Sequence, residues 1–235
     1  MMNNKIDITK VDISRIVRTY KAEVRAADTS ATDDGLAEKK YTITGKPIVY
    51  NSETIIGNMF REVIMPGALD DCDLRDVLLY VEHDMRKIPI ARSRRNNPDS
   101  TMRLTVDENG LSIEADLDVK RNADASALYS SISRGDMDGM SFSFAVKEQV
   151  WEDLDTDLPL RKITKLAKVF EVSVVALPAY QDTSVTAATR SDELALESAR
   201  LELENARSQS VETDEKRAAE LELEKAKALF KLKFL

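Results

Sequence analysis

The chain has a single cysteine and a single histidine among 235 residues. One cysteine excludes an internal disulfide framework and points to a reducing interior, or to a chain that ignores redox. One cysteine and one histidine together exclude a zinc site built from several such ligands. No apolar run approaches the roughly 18 residues that a membrane-spanning helix needs, so no membrane span is expected. The opening MMNNKIDITK lacks an apolar stretch, so no secretory signal is expected either. Basic residues are the minority, 34 against 42 acidic, for a net charge of −8. That balance argues against a dedicated nucleic-acid binder. Glycine and proline are also scarce. All seven glycines and all six prolines lie at or before Pro178, so turn-forming sequence stops there.

What is present is enough for a core. The chain is 43% apolar and 32% charged, which rules out wholesale disorder. Three parts are expected: an N-terminal arm and linker over 1–36, a compact domain over 37–188, and a charged helical tail over 189–235. In the arm, ISRIVRTYKAEVRAAD suits either a strand or a short helix. TSATDDG reads as a polar linker. The middle reads mostly as β. YTITGKPIVY is β-prone with a Gly-Lys-Pro interruption, and DVLLYVEH is a short apolar run with a charged end. TMRLTV, DENG and LSIEADLDV together give a hairpin signal. Leu111, Ile113, Ala115, Leu117 and Val119 alternate with Ser112, Glu114, Asp116 and Asp118, which buries one face. ADASALYSSISR (123–134) reads as a short helix stopped by Gly135. MSFSFAVKEQV and KVFEVSVVAL read as strands. The first puts Met140, Phe142, Phe144 and Val146 on one side, and the second Phe170, Val172, Val174 and Ala176. The tail is rich in helix formers, with a break expected at Ser208–Thr213.

Few residues could carry chemistry. His83 ends the apolar run, between Glu82 and Asp84. By itself it also suits an exposed histidine beside two acids. Ser141 and Ser143 share a strand face away from the phenylalanines, as plain polar-side residues often do. Glu171 and Ser173 share a face of the next strand, and a carboxylate within so apolar a stretch must be paired or solvated. Taken together these residues say more, since a serine nucleophile needs a base and the base needs an orienting acceptor. Only His83 can be that base through an imidazole. Cys72 lies among Asp70, Asp71 and Asp73, which disfavour a thiolate. No Asp-Thr/Ser-Gly pair supports an aspartic dyad. Arg92, Arg94 and Arg95 read as a solvated loop or as a contact for acidic substrate.

FREVIMPGAL (60–69), VLLYVEHD (77–84), DENGLSIEADL (107–117), DGMSFSFAV (138–146) and FEVSVVALPAY (170–180), in that order, resemble the tailed-phage prohead serine proteases. The likeness covers roughly residues 20–188. It implies a mainly β fold with helices (α+β), an assemblin-like closed β-barrel with packed helices, followed by the helical tail. It implies that His83 is the general base and Ser141 the nucleophile, with Glu171 at the third position, where the herpesvirus relatives have a histidine. Oxyanion donors are expected near Ala179–Asp182. The implied activity is a serine endopeptidase that cuts scaffold or capsid-protein segments, and itself, during capsid maturation. No metal or nucleotide cofactor is expected. The implied partners are the major capsid protein with its scaffold segment and the chain itself. The implied location is the assembling procapsid in the host cytoplasm. Three departures stand out: Leu69 for Phe, Ser143 for Gly, and Glu82 for Asn, the last able to raise the histidine pKa. The tail suits docking onto scaffold helices, self-association, or solvation. A non-catalytic assembly module and a serine hydrolase of another substrate class are the alternatives.

Overall fold

A computed structural model describes residues 16–20, 24–29, 40–176 and 190–233. In chain order its elements are β1 (Ile16–Tyr20), β2 (Val24–Thr29), β3 (Lys40–Val49), β4 (Thr54–Ile56), β5 (Phe60–Ile64), β6 (Asp76–Val81) and β7 (Ala91–Arg94). There follow β8 (Met102–Asp107), β9 (Gly110–Leu117), α1 (Ala123–Arg134), β10 (Gly139–Glu152), β11 (Leu160–Val175) and α2 (Arg190–Lys233). The fold is mainly β with helices.

The strands form two sheets. The larger runs β1-β10-β11-β5-β4, and the smaller β2-β3-β9-β8. Strand β11 is long enough to take two parallel partners on one edge. Its first residues pair with β5 and its last with β6, which in turn pairs with β7. The segment 1–36, set apart by composition as an arm, contributes an edge strand to each sheet: β1 pairs with β10 and β2 with β3. Its apolar residues Ile16 and Val24 are buried in the main core.

The alternation in β9 holds. Leu111, Ile113, Ala115 and Leu117 are buried while Glu114 is exposed. The hairpin into β9 turns on Asp107, whose carboxylate accepts the Asn109 and Gly110 N–H groups. Gly110 has φ +136, and a Cβ there would meet the Ile48 carbonyl oxygen at 2.0 Å. No other residue fits that approach. The Gly-Lys-Pro interruption becomes a register shift between Gly45 and Ile48 in β3. Helix α1 spans 123–134 as expected. The Asn122 side chain accepts the Asp124 and Ala125 N–H groups, and Gly135 closes the helix at φ 78. Ala125, Leu128 and Ile132 bury its inner face.

The described strands form two sheets and not the expected closed barrel. Among the described residues no backbone ladder joins β7 to β8, and the strands remain two sheets. Arg95 and Asn96 take left-handed conformations, φ 53 and 48, which turn the chain away as β7 ends. Side chains span the seam instead. Asn96 donates to the Leu104 carbonyl and accepts the Leu104 N–H, both at 2.8 Å, and the Thr101 hydroxyl accepts the Arg92 N–H at 2.9 Å.

The tail differs from expectation as well. No break occurs at Ser208–Thr213, and α2 is one helix of 44 residues. Polar and β-branched residues cost a helix only tenths of a kcal/mol each, and neither glycine nor proline is present to stop it. The Ser208 hydroxyl folds back onto the Glu204 carbonyl. Ala199 and Leu203 of α2 pack with Ile56 and Phe60. Beside them lies Arg161, 1% exposed, with Nη1 2.7 Å from Glu62 and 2.6 Å from Glu202 of α2. Its remaining nitrogens reach Gln149, and Trp151 lies over the guanidinium. Removing one partner of a buried ion pair costs about 3–5 kcal/mol, because the other charge stays in low dielectric. Arg161→Leu is therefore expected to destabilise the protein by about that much in urea unfolding. A loss below about 1 kcal/mol, the range of exposed pairs, would show that the network is not structural.

Candidate active site

The two strands at the centre of the larger sheet, β10 and β11, carry the polar cluster. They are antiparallel, with Ser141 opposite Ser173 and Ser143 opposite Glu171. All four residues are 0% exposed. A register shift follows: Phe144 pairs with Val169, so Phe170 is the extra residue of a bulge. The bulge corrects the expected parity of β11. Val169 joins Val172 and Val174 in the core, while Phe170 is only half-buried beside Lys168. Ala176 falls past the strand and is exposed.

His83 reaches this cluster from β6. The parallel β6–β11 ladder runs to the Val174–Val81 pair, and then the chain turns sharply. Glu82 and His83 both have left-handed backbones, φ 52 and 54. For residues other than glycine that costs about 1–2 kcal/mol each, so other bonds must hold the turn. The Glu82 N–H donates to the Val174 carbonyl and the Asp84 N–H to the Val81 carbonyl. The His83 N–H donates to the Ser173 hydroxyl at 3.3 Å. The Ala176 N–H donates to the Glu82 carboxylate at 2.7 Å. The Glu82 side chain thus takes the place of the next ladder carbonyl. Its bond goes to the end of β11, a structural use that the sequence did not suggest.

The turn brings together three side chains 58 and 88 positions apart. Ser141 Oγ lies 2.5 Å from His83 Nε2, and His83 Nδ1 lies 2.8 Å from Glu171 Oε1. The Ser173 hydroxyl donates to Glu171 Oε2 at 2.7 Å, and Ser143 also hydrogen-bonds this carboxylate. Burial pushes the Glu171 pKa up. The imidazole, Ser173 and Ser143 outweigh that and hold it below the ordinary glutamate value. An ionised carboxylate can only accept, so the proton of the neutral ring sits on Nδ1. Nε2 is left to accept from the Ser141 hydroxyl.

The residues singled out in the sequence, His83, Ser141 and Glu171, therefore meet. Ser143 contacts the carboxylate and belongs to its support. Ser173 and Glu82 are the members that sequence reasoning missed as participants, although the shared strand face of Glu171 and Ser173 was a usable signal. Burial pushes the Cys72 thiol up to about 12, with Asp73 adding to the effect, so no thiolate competes. Arg92 is paired with Asp76, while Arg94 and Arg95 are exposed. The expected oxyanion segment Ala179–Asp182 lies outside the described residues.

A hydroxyl, an imidazole and a carboxylate in one hydrogen-bonded line define the serine-hydrolase class of site. The family model described as caudovirus prohead serine protease matches residues 25–197, and the chain belongs to that family. It is accordingly a serine peptidase of phage capsid maturation. No curated protein matches the chain. Among solved structures, the bacteriophage T4 capsid assembly protease gp21 aligns with a TM-score of 0.41 at 12% identity, covering 68% of this chain and 96% of that one.

Proposed function

We propose that Ser141 is the nucleophile, His83 the general base and Glu171 the orienting acid of an endopeptidase that cuts capsid-protein and scaffold segments, and its own chain, inside the procapsid. The observation that carries the assignment is the unbroken relay of 2.5 and 2.8 Å from Ser141 through His83 to Glu171. Nε2 takes the hydroxyl proton as Oγ attacks a peptide carbonyl. Glu171 stabilises the imidazolium that forms. The same imidazolium then protonates the leaving amine, and water releases the acyl group by the reverse sequence. Co-expression with the cognate major capsid protein tests this reading. Shortened capsid protein and a shortened protease are expected with the wild-type chain and not with Ser141→Ala. Full-length bands throughout would favour a non-catalytic assembly module instead.

Glu82 and Ser173 act by position. Each ties the left-handed turn to β11, and Ser173 also holds the acid. Glu82→Ala is expected to lower kcat by about tenfold, the scale of one lost oriented hydrogen bond, with KM little changed. Glu82→Gln keeps an acceptor oxygen for the Ala176 N–H and is expected to restore most of the rate. Equal rates in Glu82→Ala and wild type would remove Glu82 from this role.

The tail from residue 189 serves as a docking helix in this reading. The contacts through Ala199, Leu203 and Glu202 lie near its start, and the described residues beyond Val211 are exposed. That leaves a long charged face for a helical scaffold partner.

A further inference from the structure

A cavity of about 160 Å³ lies between the turn after β6 and α1. Its walls include Val81, Ile88, Ile90, Ala127, Leu128 and Met137. Both catalytic segments border it. Val81 and Asp84 flank His83, and Met137 precedes Ser141 by four residues. Four residues of chain span at most about 14 Å, and an extended peptide covers the same distance in four residues.

The lining favours an uncharged occupant. Its charged members already have partners: Asp84 is bonded by Arg86, and Lys87 by Asp124. Ile88, in the cavity lining, is 82% exposed, and Met85, two residues after His83, is 51% exposed. Isolated exposed apolar residues are ordinary. One that lines a cavity of side-chain size, and another two residues from the proposed base, fit a surface that a substrate covers.

We infer that this cavity is a substrate subsite that takes an aliphatic side chain, carried within four residues of the scissile bond, and that Ile88 and Ala127 set its mouth. The inference rests on the endopeptidase reading and names part of its specificity. The energy comes from transferring an aliphatic group out of water, and one such contact discriminates by roughly 10- to 200-fold.

The test uses peptides that copy the mapped capsid-protein cleavage junction. Leu, Ser or Glu is placed in turn at each of the four positions on either side of the cut. The full-length wild-type chain is expected to prefer Leu over Ser and Glu at one position by at least about tenfold in kcat/KM. Ala127→Phe fills the mouth from an exposed helix position, and Ile88→Ser removes an exposed wall. Both are expected to shrink that preference to below about threefold, mainly through KM. A preference that persists in Ile88→Ser and in folded Ala127→Phe would overturn the inference, as would no aliphatic preference in the wild type. If the wild type cuts no peptide and a fluorophosphonate leaves Ser141 unlabelled, the endopeptidase reading falls, and the subsite with it.

Discussion

Ser141→Ala and His83→Gln are each expected to reduce capsid-protein processing by about 10⁴- to 10⁶-fold, with the fold intact. The size follows from how the relay works. The Ser141 hydroxyl is a poor nucleophile until a base takes its proton, and His83 is the only imidazole in the chain. Among the described residues no neighbouring group is placed to replace either one. Cys72 is held protonated by burial, and Ser143 is bonded to the carboxylate. Because the two residues act as one unit, the double variant should be no slower than either single one. Quantitative gel densitometry of capsid-protein fragments over time provides the check. A single variant retaining more than about a hundredth of the wild-type rate would contradict the assignment.

Glu171→Gln is expected to cost about 10³- to 10⁴-fold while leaving the protein folded. The amide is nearly isosteric, so the buried site stays filled. What changes is the tautomer. A glutamine can turn its NH₂ toward Nδ1, which leaves Nδ1 as acceptor and puts the ring proton on Nε2, facing the serine. The base is then pointed the wrong way. Stability should show a matching pH signature. The folded-state pKa of Glu171 is lowered, so its stabilising contribution is present above the ordinary glutamate pKa. It is lost as pH falls through the folded value. On acidification the wild type should lose stability relative to Glu171→Gln. Wild-type turnover in this variant, with no relative change in the acid limb, would remove Glu171 from the mechanism.

The outline of this site was legible through the resemblance of five segments to the prohead proteases; the residues alone also suited an exposed histidine and plain polar-side serines. With one imidazole in the chain, a Ser-His-Glu arrangement could be written only with His83. The strand parity of Ser141 with Ser143, and of Glu171 with Ser173, placed on shared faces the hydroxyls and carboxylate that the fold brings together. The short helix 123–134 and the hairpin into β9 were legible because local signals, Gly135 and the Asp107–Gly110 turn, agree with burial. Features that depend on two distant segments were not legible. The bulge at Phe170 arises from pairing β11 with β10, and no single-strand periodicity encodes it. The open seam between β7 and β8 depends on left-handed Arg95 and Asn96. The role of Glu82 depends on a backbone N–H donated from residue 176. The buried Arg161 between Glu62 and Glu202 was hidden for the same reason, since its carboxylates come from β5 and α2.

Mass-spectrometric mapping of the adduct formed by a fluorophosphonate probe bears most directly on the relay. One phosphonyl group on Ser141 is expected in the wild-type chain, at a rate that collapses in His83→Gln. Labelling at Ser143 or Ser173 in place of Ser141, or labelling of Ser141 that is indifferent to the loss of His83, would contradict it.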